Sequence, residues 1–389
     1  MKTGYGTTVL PAGARSRTVE NGNGLSMHLL ECGFEDDDRP CVLLLHGFPE
    51  LSFSWRKVMP ALAHAGFHVV APDQRGYGGT TGWDGHYDGD IAPFHLFNLA
   101  RDALGLVAAL GHRTVAAVVG HDFGAPVAAW CALLRPDLVR SVVLLSAPFG
   151  GPPRQGSALQ SAAAAMAMSL AALRPPRKHY QWYYSTRAAN EDMRACPQGI
   201  HAFLRAYYHC KSADWKQNQP FPLESWAAAE LAKMPKYYIM DLDKGMAETV
   251  AEEAPSLAEI SACAWLPEHE LRVYSDEFAR TGFQGGLQWY RNLTDPKGSA
   301  QLQMFVGRTI DVPCCFIAGK SDWGTYQSPG ALQAMASSAC TDFRGIHLVD
   351  GAGHWVQQEQ AGAVAELLIE FLAPTLARSG GGRRKPSLR

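Results

Sequence analysis

A CxxC pair occurs nowhere in this chain, and its nine cysteines (Cys32, Cys41, Cys131, Cys196, Cys210, Cys263, Cys314, Cys315 and Cys340) are an odd number. Both features argue against a disulfide framework and for buried, reduced thiols. Met1 to Arg15 holds no apolar run long enough for a signal sequence, and no stretch approaches the length of a membrane span. The expectation is therefore a cytoplasmic protein without an integral membrane segment. Neither a metal-ligand spacing nor a nucleotide-binding glycine pattern is found, so no metal and no cofactor is expected. The formal net charge is only -2, with no block of like charge in the folded part. That excludes nucleic acid and anionic membranes as obvious partners and leaves a small, uncharged substrate. Oligomeric state is not legible.

What is present is a large apolar content: 389 residues, 47% hydrophobic and 19% charged, enough for a sizeable core with an added cap. From residue 24 to 150, short apolar runs alternate with helical patterns, as a mostly parallel sheet flanked by helices does. The runs are Leu25–Leu30, Val42–Leu45, Phe67–Ala71, Val115–Val119 and Val142–Leu145. Leu96, Leu99, Ala103, Leu106 and Leu110 recur at helical spacing, and Gly111 supplies a stop. After Pro148 the breakers Gly150, Gly151, Pro152 and Pro153 intervene, and strand-like runs resume only at Cys314–Ala318 and Ile346–Val349. The stretch between holds nine of the thirteen tyrosines, all from 180 to 290. It reads as a helical cap, residues 150–299, inserted between core segments 1–149 and 300–378. Its Ala-rich part, Ser157–Leu173, predicts an extra helix that lines or covers the entrance. A helix near Ala361–Leu372 closes the core, and 379–389 is a flexible polar tail.

Gly120-His121-Asp122-Phe123-Gly124 sits where the buried run Val115–Val119 meets a helix beginning near Ala125. Small residues two before and two after the central one suit a sharp strand-to-helix elbow, which lifts residue 122 out of the sheet. A carboxylate there is a poor reagent for acyl transfer but can displace a leaving group at saturated carbon, forming an ester of the enzyme. The bland alternative is an aspartate that caps the following helix. His121 reads as a packing residue beside the elbow.

Gly351-Ala352-Gly353-His354-Trp355 follows the last predicted strand, which places His354 on a glycine-rich loop at the carboxyl edge of the sheet, where catalytic groups gather. An imidazole there can deprotonate a water. Asp322, just after Cys314–Ala318, is positioned to orient it; the end of Val142–Leu145 offers only Ser146-Ala147-Pro148 and no acid. With fourteen histidines present, surface or core placement is the ordinary alternative for any one of them. The chain order Asp122, Asp322, His354 matches nucleophile, acid, base. His46-Gly47-Phe48-Pro49 ends an early strand, and its turn can aim the Phe48 amide at residue 122. With the Phe123 amide it would form an oxyanion hole, unless it is only a strand-ending turn.

Taken together, His46-Gly47-Phe48-Pro49-Glu50, Asp73-Gln74-Arg75-Gly76-Tyr77-Gly78, Gly120-His121-Asp122-Phe123-Gly124 and Gly353-His354-Trp355 give the chain, from about Val19 to Leu376, a resemblance to the epoxide hydrolase branch of the α/β-hydrolase superfamily. The resemblance implies that epoxides are hydrolysed to vicinal diols through an Asp122 ester. It also implies two cap tyrosines that hydrogen-bond the epoxide oxygen. The first is similar to Tyr180, and the second to Tyr290 in Gly286-Leu287-Gln288-Trp289-Tyr290-Arg291. A phenol can supply the proton an alkoxide needs, although cap tyrosines also pack with their rings and wet their hydroxyls. Pro49, Trp182, Tyr183 and Trp355 are candidates for the pocket wall.

Two rivals remain at this point. A haloalkane or haloacetate dehalogenase shares the aspartate, the histidine and the fold, but it needs donors such as an indole N–H for the halide. The residues after Asp122 and after His46-Gly47 are phenylalanines without such a donor, which leaves Trp182 or another cap tryptophan. The second rival is a catalytically quiet ligand-binding protein on the same scaffold.

Overall fold

A computed structural model describes residues 9–153 and 159–380. Among these residues the strands are β1 (Ala14–Glu20), β2 (Ser26–Cys32), β3 (Cys41–Leu45), β4 (His68–Pro72), β5 (Val115–His121), β6 (Val142–Leu145), β7 (Arg177–His179), β8 (Ile239–Asp241), β9 (Cys314–Gly319) and β10 (Phe343–Val349). Eight form one sheet in the order β1-β2-β4-β3-β5-β6-β9-β10. From β4 to β10 the pairing is parallel, and β1 and β2 are joined on antiparallel. Every residue of β3, β5, β6 and β9 is buried, as is required of central strands covered by helices on both faces. At the margin, β10 alternates exposed and half-buried positions.

The apolar runs thus fall on strands β2 to β6, β9 and β10. The strand of this sheet missing from the sequence reading is β1. Its residues, Ala-Arg-Ser-Arg-Thr-Val-Glu, contain no apolar run because it is an edge strand held by charge: Arg15 and Arg17 both reach the buried Glu31 of β2. The helix Leu96–Ala109 buries Leu96, Leu99, Ala103 and Leu106, and Gly111 follows with φ 86°. Behind the elbow, the helix Gly124–Leu134 is apolar all round and packed on β5 and β6.

Between β6 and β9 the chain is mainly helical, with β7 and β8 as a small antiparallel pair that the aromatic-rich pattern did not reveal. Tyr184, Tyr207, Tyr208, Tyr238 and Tyr274 are fully buried there and form the core of this layer. The Ala-rich stretch does form a helix, Leu159–Ala171, which packs against β7. None of its described side chains lines the site cavity. Residues 157 and 158 lie outside the described part.

The helix Gln284–Thr294 docks directly on the core. A Cβ on Gly285 would lie 2.0 Å from the carbonyl oxygen of Gly76, so both positions require glycine for this backbone approach. Beside it, the Trp289 indole donates to the Arg75 carbonyl at 2.9 Å, and Arg75 is held by both oxygens of Asp102. Deleting a buried indole of this kind costs about 3–5 kcal/mol. The Asp73-to-Gly78 motif is thus the platform that sets the height of Tyr290 above the sheet. At the other end of the chain, the last helix runs Ala361–Gly380, so Ser379 and Gly380 belong to it rather than to a tail; 381–389 lie outside the described residues. Among the described residues, no helix is long and apolar enough to cross a membrane.

Candidate active site

Asp122 has φ 51°, a left-handed conformation that side chains adopt at a cost of about 1–3 kcal/mol and that persists only where the surroundings impose it. Here the two flanking glycines do so: a Cβ on Gly120 would lie 2.2 Å from the Gly124 carbonyl oxygen, and one on Gly124 would lie 2.4 Å from that of Leu45. Strand β5 and the following helix can therefore close onto each other, and Asp122 is driven out at the apex. Its side chain does not cap the helix. Instead Oδ1 accepts the Phe48 amide at 3.0 Å, and Oδ2 lies 3.3 Å from His354 Nε2.

His354 Nδ1 is 3.0 Å from Asp322 Oδ1, and a carboxylate in that place selects the tautomer with the proton on Nδ1. Nε2, facing Asp122, makes no hydrogen bond with the described residues despite its short ion-pair distance. All three side chains are buried. Burial by itself would raise the Asp122 carboxyl, but the contact and charge of His354, with Lys211 and His121 behind, hold it well below the usual carboxylate range. Asp322 is likewise lowered against burial, through His354 and the Gly324 amide.

The backbone of His354 is gripped from two sides. Its carbonyl accepts from His121 Nε2 at 2.7 Å and from the Ser146 hydroxyl at 3.1 Å, and its amide donates to the Lys211 carbonyl at 2.8 Å. His121 is therefore more than packing. Its Nδ1 pairs with Glu50 Oε2 at 2.5 Å, and Glu50 also accepts the Gly47 amide and the Gln357 side chain. Burial would lower the His121 imidazole, yet Glu50 raises it above its ordinary value.

A cavity of about 190 Å³ opens above Asp122, walled by Phe123, Tyr180, Tyr290, Gln181 and Gln327, with an apolar arm of Leu96, Pro126, Pro148, Phe149 and Leu293. Tyr180 and Tyr290 are brought together, with ring centroids 6.0 Å apart. Burial first, and then the Asp122 charge, pushes both phenols well above their ordinary value, so they stay protonated. Phe48 and Phe123 meet the Tyr290 ring edge-on at 5.5 and 5.2 Å. The two residues whose amides flank Asp122 thus use their side chains to fix the tyrosine. The Phe123 amide lies in the first helical turn, where no intrahelical acceptor exists.

None of the four wall candidates lines this cavity. Trp355 is fully buried under the histidine loop, stacking near Tyr208 and donating to its carbonyl. Tyr183 turns its hydroxyl to Asp192, Trp182 packs on His179, and the Pro49 carbonyl accepts from Tyr208. Proximity in sequence to a motif residue does not place a side chain on the same face. Conversely, Gln181, Gln327, Ser146, Glu50 and Lys211 acquire contacts at the site that no local pattern signalled.

A strand-to-helix elbow bearing aspartate, with a histidine and a second aspartate from later loops of a mostly parallel sheet, is an arrangement of the α/β-hydrolase kind. The family model described as alpha/beta hydrolase fold matches residues 40–231. Epoxide hydrolase A of Mycobacterium tuberculosis is 33% identical over 368 residues, covering 92% of this chain and 98% of that protein. Among solved structures, an epoxide hydrolase from an endophytic Streptomyces superposes with a TM-score of 0.75 at 30% identity, covering 94% of this chain and 97% of the other. Epoxide hydrolase A from Mycobacterium thermoresistibile gives 0.72 at 32%, covering 92% and 98%. The chain belongs to the epoxide hydrolases of the α/β-hydrolase fold.

Proposed function

We propose that this protein converts small, apolar epoxides and water to vicinal diols through an ester on Asp122. The observation that carries the reading is the orientation of that carboxylate: Oδ1 on the Phe48 amide, Oδ2 beside His354, and two protonated phenols across the cavity. Oδ2 attacks a ring carbon, the C–O bond breaks, and its electron pair stays on the epoxide oxygen, which takes a proton from the tyrosine side. His354 Nε2 then removes a proton from water, which attacks Cγ of Asp122. The oxyanion forms at Oδ1, where the Phe48 and Phe123 amides stabilise it, while Asp322 supports the imidazolium. Collapse breaks the Cγ–Oδ2 bond, the leaving oxygen takes the proton from His354 to complete the diol, and the remaining proton of the attacking water returns to the tyrosine oxygen, which restores carboxylate, imidazole and phenol.

No tryptophan is among the residues walling the cavity, which disfavours halide binding and hence the dehalogenase reading. The assembled acid, base and nucleophile weigh against a quiet binding protein. Within this reading, the described residues of 1–149 and 300–378 form the catalytic core and those of 150–299 the cap. The nine free cysteines favour the cytoplasm.

A single turnover of excess enzyme on an aryl epoxide in ¹⁸O-water tests the scheme. Label in the Asp122 peptide with unlabelled diol is the expected result. Label appearing directly in the diol would overturn the ester route.

A further inference from the structure

The two cavity tyrosines are not equivalent. Tyr180 donates its hydroxyl proton to Gln327 Oε1 at 3.0 Å and accepts from Gln181 Nε2 at 3.2 Å. Tyr290, by contrast, has no hydrogen-bond partner for its hydroxyl among the described residues, although its ring is boxed by Phe48 and Phe123. Gln327 is itself firmly rooted. Its amide donates to the Trp323 carbonyl at 2.9 Å, closing the short turn that Asp322 caps by accepting the Gly324 amide at 2.7 Å. The loop that supplies the acid of the triad therefore also delivers a carboxamide to the Tyr180 hydroxyl. A phenol has one proton to give, and while Gln327 holds it, the epoxide oxygen cannot receive it.

We propose that Gln327 is a positioning residue that commits the Tyr180 proton in the resting site and so makes Tyr290 the principal acid of ring opening. This rests on the reading that Asp122 attacks an epoxide. As the C–O bond breaks, the electron pair moves to oxygen and Tyr290 supplies the proton. Tyr180 joins only by turning its O–H from Gln327 Oε1 to that oxygen, which exchanges one hydrogen bond for another.

A double-mutant cycle on the full chain tests it, reading the rate of Asp122 ester formation by rapid quench and protein mass. In the native background, Tyr290→Phe is expected to slow alkylation by about 100-fold or more and Tyr180→Phe by clearly less. In Gln327→Leu, where the Tyr180 proton is released, Tyr290→Phe is expected to cost only about 10-fold, below the roughly 100-fold or more that one positioned acid supplies, because Tyr180 then takes over part of the role. Gln327→Glu keeps an acceptor for Tyr180 and should restore the native ratio, which a residue that merely fills the wall would not do. Should Gln327→Leu fail to fold, Gln327→Asn, one methylene too short to reach, replaces it. Equal Tyr290→Phe penalties with and without Gln327 would overturn the proposal while leaving the ester mechanism standing. Absence of any ester in the wild-type protein would overturn both.

Discussion

The Phe48 amide donates a 3.0 Å hydrogen bond to Oδ1 of Asp122. One carboxylate oxygen is thereby fixed before substrate arrives, and the other is turned to the cavity beside His354. In the proposed mechanism this contact leaves Oδ2 for attack on the ring and reserves Oδ1 for the later oxyanion.

Removal of the base should separate those steps. His354→Gln is expected to open the ring and then stall, so that intact-protein mass shows one substrate added at Asp122 while steady-state turnover falls about 10³-fold. Asp122→Ala should show no added mass. A His354→Gln protein that never accumulates the ester would remove His354 from the second step.

In the proposed mechanism the phenols govern the alkaline behaviour of ring opening. Because burial and the Asp122 charge raise both tyrosines well above their ordinary value, the acid form persists as pH increases. The single-turnover alkylation rate should therefore show no loss attributable to phenol ionisation from neutrality to about pH 10, the unperturbed tyrosine value. Tyr290→Phe should lower the rate without introducing such a loss. A phenol-dependent midpoint below about pH 9 would contradict this environment.

Glu50 and His121 form a fully buried pair beneath the site. His121→Leu alone leaves a buried carboxylate with only the Gly47 amide and Gln357, and is expected to destabilise the fold by about 3–5 kcal/mol in urea titration. Replacing both partners with leucine should cost less than the sum of the single changes. Strict additivity would mean the pair is not coupled.

Acid should weaken the β1 edge. Burial alone would raise Glu31, but hydrogen bonds from His68, Arg17 and Arg15 lower it to about 2. A depressed carboxyl contributes stability that is complete above its unfolded value, about 4.3, and is lost as pH falls towards about 2. Urea midpoints measured between these limits should fall, and Glu31→Gln should flatten that part of the profile. An unchanged slope in the variant would assign the acid sensitivity elsewhere.

Much of the architecture could be read because it follows local rules. Fully buried strands such as β3 and β5 need continuous apolar runs, and the elbow needs glycine on both sides of Asp122. The edge strand β1 and β7, Arg177-Lys178-His179, carry no apolar run, and β8 is only three residues long, too short for its Ile239-Met240 to stand out from the aromatic cap. Pro49, Trp182, Tyr183 and Trp355 neighbour motif residues in the chain, whereas the cavity selects by direction.

By itself, the sequence determined that an aspartate stands at the elbow, that Asp322 and His354 follow it in that order, and the layered α/β scaffold, since each depends on residue type and spacing along the chain. Only the tertiary structure decided that Glu50 and His121 pair beneath the site, that among the described residues Gln327 takes the Tyr180 hydroxyl and none takes that of Tyr290, and that no tryptophan is among the residues walling the cavity. Those outcomes depend on side chains from segments far apart in sequence meeting at fixed distances, and such distances are set by packing of the whole chain rather than by any local pattern.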